Sequence, residues 1–261
     1  MRGPSCVASL VVAVALGGCA SLPAPAPGVV SARIEVATAQ GVAKAIRFAP
    51  AGGQPLRGVV VFIHGFLRAP ARHADFAARL AREGHVVVLP DLDSPFADGA
   101  RGRDGAHALA LLREVSRPPD AARLPLIVGG FSRGAGIALD LAANLDAAER
   151  ERLAGVVLLD PVTGAIPQSL RDPAPPVALV TAPAAACNAL GRSFAPLRAA
   201  LRPAVDVEIE GATHCDPESP SDVVCAVYCG APDPARQARF TDALVAFVLS
   251  RTEAPVAQAP R

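Results

Sequence analysis

The chain has no tryptophan and only one tyrosine and one methionine, and of its 25 Lys and Arg residues only Lys44 is a lysine. The shortage of lysine beside abundant Ala, Arg and Pro reads as a base-composition bias, and no function follows from it. Net charge is also lacking, at +1 over 261 residues. That excludes a broad electrostatic pull toward nucleic acid or acidic partners. Long apolar runs are missing too. The longest near the start, residues 7–16, is about half of the roughly 20 needed to span a bilayer. No internal repeat is visible, and no second domain is indicated. What remains is 51% hydrophobic and 19% charged. That composition is globular, and the length suffices for one domain with a large buried core.

The start reads as an export segment. Met1-Arg2 is basic, the apolar run fits the core of a signal peptide, and it ends in Leu16-Gly17-Gly18-Cys19. This resembles a bacterial lipobox, whose cysteine is lipidated and becomes the new N-terminus. Ala20-Ser21 resembles the pattern sent to the outer membrane. Pro23, Pro25 and Pro27 make a stiff tether. The expected organisation is a lipoprotein-type signal peptide over 1–18, a Pro-rich tether over 19–28, one folded domain over 29–251 and a loose tail over 252–261. The expected location is the bacterial outer membrane or periplasm, held by a lipid on Cys19, or the medium if the chain is simply secreted.

Four further cysteines, Cys187, Cys215, Cys225 and Cys229, fall in the exported domain, where an even number favours disulfides. Three pairings are open, and the favoured one joins Cys187 to Cys215 and Cys225 to Cys229. The alternative is a zinc site of His214, Cys215, Cys225 and Cys229, whose spacing matches no common finger.

Along the domain, strand patterns alternate with helix patterns. Residues 29–37 and 42–48 read as a hairpin around Gln40-Gly41 at a sheet edge. Residues 58–63 form a continuous apolar run, as for a strand buried on both faces. Further strands are predicted over 85–89, 124–130, 156–160, 177–181 and 205–209. Helices are predicted over 72–83, 103–116, 135–145, 192–201 and 235–250. Such alternation implies a mostly parallel central sheet covered by helices on both faces.

Gly130-Phe131-Ser132-Arg133-Gly134 stands between a predicted strand and a predicted helix. A serine on so sharp a turn needs small neighbours and holds its hydroxyl over the sheet end, as in the nucleophile elbow of α/β-hydrolases. A serine hydroxyl needs a base, and the base an orienting acid. In that fold the partners follow the serine, with histidine last. Of the five histidines only His214 lies after Ser132. The acid is Asp160, at the end of a predicted strand. The stretch after the next strand, 182–188, holds no carboxylate, and Asn188 lacks the charge that stabilises an imidazolium. Asp216 is too near His214 in sequence to be preferred. The oxyanion hole is expected from the backbone N–H groups of Arg133 and of Phe66, in the turn His64-Gly65-Phe66. His64 supports that turn, and Phe66 and Leu67 offer an apolar wall. The Arg133 side chain is either solvated or a substrate contact.

Ile63-His64-Gly65-Phe66, Ser132-Arg133-Gly134, Asp160-Pro161-Val162-Thr163-Gly164 and Cys225-Ala226-Val227-Tyr228-Cys229 together resemble the chlorophyllase-like branch of the α/β-hydrolases, related to secreted polyester and dienelactone hydrolases. The resemblance covers about 29–250. It implies a single α/β-hydrolase domain with Ser132 as nucleophile, Asp160 as acid and His214 as base. Secreted polyester hydrolases also have a disulfide between the loops carrying acid and histidine, which implies Cys187 with Cys215. The activity implied is hydrolysis of a small or lipid-like carboxylic ester, with no metal or organic cofactor. A binding lipoprotein that keeps the fold without hydrolysis, or a peptidase or acyltransferase using the same groups, remains an alternative.

Overall fold

The computed structural model describes residues 27–92 and 100–253. The predicted signal segment, Cys19, nearly all of the tether, the loop 93–99 and the chain beyond 253 lie outside the described residues. Among the described residues, no helix is long and apolar enough to cross a membrane.

Two long strands, β1 (Val29–Thr38) and β2 (Gly41–Pro50), pair antiparallel as expected. The Thr38 hydroxyl closes their turn by donating to the Gly41 carbonyl at 2.8 Å. Then follow β3 (Gly58–Ile63), α1 (Ala74–Arg82), β4 (His85–Asp91), α2 (Ala100–Val115), β5 (Leu126–Phe131), α3 (Arg133–Ala143), α4 (Ala147–Glu151) and β6 (Leu153–Leu159). The domain continues with β7 (Val177–Thr181), α5 (Phe194–Leu201), β8 (Val205–Glu208), α6 (Val223–Cys229) and α7 (Pro234–Thr252). The eight strands form one sheet in the order β1-β2-β4-β3-β5-β6-β7-β8. β2 runs antiparallel to β4, and every pairing from β4 to β8 is parallel.

Strand alternation sorts the core into two faces. Val60 and Phe62 of β3 pack with Phe76 and Leu80 of α1 and Phe240, Leu244 and Phe247 of α7. Val59, Val61 and Ile63 point the other way, against Leu111 and Leu112 of α2 and Ile137 and Leu141 of α3. A second patch on that side joins Leu139 of α3 to Leu158, Leu179 and Leu197. Both faces of the central strands are thus dry, which is why they read as unbroken apolar runs.

Element ends differ in three instructive places. The helix expected from residue 72 begins at Ala74, because Pro70 opens a separate 3-10 turn over Pro70–His73. The helix expected from 135 begins at Arg133, directly after the elbow serine. The Val223–Cys229 helix was not expected, since Val-Val-Cys-Ala-Val-Tyr-Cys has no polar face to set a helical period. Its start is capped by Asp222, whose carboxylate accepts from the Cys225 N–H at 2.9 Å.

Two buried histidines stiffen the frame. The His85 ring meets the Leu80 carbonyl at 3.1 Å and the Thr252 hydroxyl at 2.7 Å, tying the end of α7 to β4. Thr252, expected to begin the tail, is therefore buried and bonded as the last residue of α7. His73 is fully enclosed among Phe62, Phe76 and Phe131, and neither ring nitrogen has a hydrogen-bond partner among the described residues. Burial, with lesser help from His64 and Arg68, pushes its pKa from 6.5 down to about 3. Between these values the unfolded chain binds a proton that the folded chain refuses. Stability is therefore full above pH 6.5 and declines as pH falls toward 3. The loss is about 1.4 kcal/mol per pH unit, or about 2 kcal/mol at pH 5. A His73→Leu protein should lose that much less stability between pH 7.5 and pH 5 by urea unfolding. An equal loss in both proteins would refute this.

Candidate active site

β5 ends at Phe131 and α3 starts at Arg133, so Ser132 alone makes the turn. Its backbone is in an uncommon region, φ 54° and ψ −125°. The flanking glycines permit the turn. A Cβ on Gly130 would lie 2.3 Å from the Gly134 carbonyl oxygen, and one on Gly134 would lie 2.3 Å from the Ile63 carbonyl oxygen. Strand, turn and helix are in backbone contact there, and no side chain fits between them.

The chain ends of β5, β6 and β8 deliver three side chains to one point. His214 Nε2 lies 2.9 Å from Ser132 Oγ, and His214 Nδ1 lies 2.5 Å from Asp160 Oδ2. A carboxylate accepts only, so Nδ1 carries the ring proton and Nε2 is left to accept from the serine hydroxyl. Asp160 is fully buried at the end of β6. Its Oδ1 accepts from the Ala182 N–H at 3.0 Å. Asn188 Nδ2 sits 3.3 Å from each Asp160 oxygen. The Phe131 ring packs against the His214 ring with centroids 4.8 Å apart.

Ionic clamps hold the histidine loop. Asp216 is fully buried. It accepts from the Thr213 N–H at 2.6 Å, from the Asp233 N–H at 2.7 Å and from Arg236 Nε at 2.9 Å. Arg68 forks onto buried Glu218, with Nε 2.6 Å from Oε1, and also reaches Asp222 at 3.1 Å. Burial opposes ionisation of Asp222, but the Cys225 N–H and the Arg68 and Arg72 guanidinium groups hold its carboxyl below the usual range. These contacts tie the loop after β3, which carries Phe66, to the loop after β8, which carries His214.

Of the residues expected to donate to an oxyanion, Arg133 is the first residue of α3, where a backbone N–H has no partner inside the helix. Phe66 and Leu67 lie beside Ser132 and line the cleft. His64 is buried behind that turn. It donates from Nδ1 to the Gly65 carbonyl at 2.8 Å and accepts at Nε2 from the Leu92 N–H at 3.2 Å. Burial lowers its pKa against the pull of the Gly65 carbonyl, in keeping with this neutral bridging role. The Arg133 side chain is not simply solvated, because it pairs with buried Asp104 of α2 at 2.9 Å.

The cleft above Ser132 and His214 has a volume of about 310 Å³. Phe66, Leu67, Val224 and Tyr228 form its walls, together with the Cys187–Cys229 bridge. Arg68 is the one charged lining residue among those described, and its charge is met by Glu218 and Asp222.

The disulfides correct the favoured pairing. Cys187 joins Cys229 and Cys215 joins Cys225, with Cα separations of 5.6 and 5.8 Å. Cys225 and Cys229 lie one turn apart on α6, so their side chains project from one face toward two different loops. Cys225 meets the histidine loop, and Cys229 meets the loop after β7. The zinc alternative fails for the same reason. The sulfurs of Cys215, Cys225 and Cys229 lie within 4.8 Å of one another, but all three are consumed in disulfides, and both His214 nitrogens are engaged.

No protein-family model and no curated protein matches the chain. Solved structures do. A dienelactone hydrolase from Anabaena variabilis superposes with a TM-score of 0.65 at 17% identity, over 87% of this chain and 100% of that one. The chain has the α/β-hydrolase fold. Other solved structures agree. Carboxyl esterase 2 of the fungus Tuber melanosporum matches with a TM-score of 0.61 at 15% identity, over 88% of each chain. The thermostable carboxylesterase EstE1, from a metagenomic library, matches with a TM-score of 0.60 at 18% identity, over 86% of this chain and 90% of that one. Within the α/β-hydrolase architecture, Ser132 occupies the elbow, and the residues it meets come from the loops after β6 and β8.

Proposed function

We propose that the protein is an exported serine hydrolase that cleaves neutral carboxylic esters through Ser132, His214 and Asp160. The observation that carries this reading is the continuous hydrogen-bond chain from Ser132 Oγ through His214 to Asp160 at the base of an apolar cleft. The dienelactone hydrolase and carboxylesterases that share the fold support the same reaction class. The two disulfides support export, and a lipid on Cys19 would tether the domain to a membrane.

The chemistry follows from the geometry. Ser132 Oγ attacks the ester carbonyl while His214 Nε2 takes its proton, and Asp160 stabilises the imidazolium. Negative charge develops on the carbonyl oxygen, where the N–H groups of Arg133 and Phe66 receive it. His214 returns the proton to the departing alcohol, leaving an acyl group on Ser132. Water, deprotonated by His214, then releases the acid. The apolar cleft, with its single charge compensated, favours an uncharged acyl or alcohol group over an anionic one.

The test is p-nitrophenyl butyrate turnover during titration with a fluorophosphonate. Turnover should fall in proportion to the phosphonate found by mass spectrometry on the Ser132 peptide. Turnover that survives full labelling, or labelling confined to another residue, would overturn the assignment.

A further inference from the structure

Asn188 lies in the loop after β7, 28 positions beyond Asp160, yet the two side chains meet in a fully buried setting. Its amide orientation is determined by its neighbours. Oδ1 accepts from the Ala185 N–H at 2.8 Å and the Gly191 N–H at 3.3 Å. The NH2 group must then face the Pro183 carbonyl at 2.9 Å and both oxygens of Asp160 at 3.3 Å. One side chain therefore does two separable things. Its oxygen holds the loop turn, and its NH2 faces both oxygens of the carboxylate.

Asp160 gains from such a partner. It is fully buried, its backbone φ is 38°, and the other donors to its carboxylate are the backbone N–H of Ala182 and the His214 ring. A donor to both oxygens favours the ionised form and restrains rotation of the carboxylate about its bond. The adjacent Cys187 is tied to Cys229 on α6, so the loop that presents Asn188 is itself fastened to the cleft wall. Resting on the esterase reading above, we propose that Asn188 is a positioning residue. It keeps the Asp160 carboxylate aimed at His214 while touching no substrate itself.

The two roles separate in Asn188→Asp. The new side chain has nearly the same shape and still accepts from the Ala185 and Gly191 N–H groups, but it sets a second carboxyl against Asp160 in place of the amide donor. The titratable groups facing this position are Asp160, from the end of β6, and His214 beyond it, from the loop after β8; Cys187 is held in a disulfide and does not titrate. Two carboxyls in buried contact cannot both ionise at once, so the pair keeps a proton to higher pH, and its loss, coupled to His214, adds the negative charge that favours the protonated imidazole. The acid limb of the kcat/KM profile should therefore move to higher pH, by about one unit. At pH 7, kcat should fall about 10- to 100-fold, as for a modestly misplaced catalytic pair, with KM little changed. Asn188→Ala, which loses both roles, should show a lower Tm and a smaller upward shift of the limb.

The ring of His214, titrated by ¹⁵N NMR, should move in the same direction as the limb in both variants. That readout does not depend on ester turnover. If the natural protein fails to hydrolyse esters, the esterase reading falls while the Asn188–Asp160–His214 coupling is still measured. Wild-type kcat and an unmoved His214 titration in folded Asn188→Asp would overturn the proposal. So would a loss of kcat that tracks Tm with no shift of the limb, which would leave Asn188 a merely structural residue.

Discussion

Turnover by an Asp160→Asn protein is expected to fall about 10⁴-fold at pH 7, with little change in KM. The cause is the tautomer of His214, not the missing charge alone. The Ala182 N–H points at Oδ1 of Asp160 and would hold the oxygen of an introduced amide at that position. The amide NH2 would then stand where Oδ2 now receives His214 Nδ1. Facing a donor, Nδ1 must become the acceptor, and the ring proton moves to Nε2. That nitrogen meets Ser132 and can no longer take its proton. Stopped-flow turnover of p-nitrophenyl butyrate, with circular dichroism as the check on folding, measures this directly. Activity within tenfold of the natural protein would mean that Asp160 does not orient the base.

The second large effect is on stability. Gly134→Ala places a methyl group 2.3 Å from the Ile63 carbonyl oxygen and 2.4 Å from that of His64. Both obstacles are backbone atoms, one at the end of β3 and one in the turn that leads to Phe66. Neither can rotate away as a side chain would. Relief requires α3 to lift from the sheet, opening a seam that buries Ile63, Ile137 and Ala138. Overpacking of this kind costs about 3 kcal/mol or more. At about 2–4 °C per kcal/mol for a domain of this size, Tm should drop by roughly 10 °C. Gly102→Ala is the control, since a Cβ there meets no described residue within 4 Å and Gly102 is helical. It should leave Tm unchanged or raise it slightly. Equal Tm values for the two variants, read by scanning calorimetry, would contradict the packing argument.

Much of this architecture could be read from residue order. The central strands announce themselves because both of their faces are dry. His214 stands out because no other histidine follows Ser132, and Asp160 because the next strand end carries no carboxylate. The features that escaped share a different physics. The α6 segment presents apolar residues to solvent, with Val223 73% and Tyr228 79% exposed, so no polar stripe marks it as a helix. The cystine pairing depends on which way that helix faces, which local spacing does not reveal. Asn188 was weighed as a weak replacement for the acid. Its contact with Asp160 joins residues 28 apart, and only the side-by-side pairing of β6 and β7 brings them together. The buried carboxylates of Asp216 and Glu218 were hidden for a similar reason, since their arginine partners come from α7 and from the loop after β3.

The manner in which α6 is fastened has an evolutionary corollary. Seven residues carry two covalent anchors, so this segment does not depend on buried area for its place in the molecule. Positions 223, 224, 227 and 228 are released from any duty to the interior and can drift without endangering the sheet. Selection for a new ligand would find its cheapest raw material here, in a short cassette whose contents vary while its fastenings stay put.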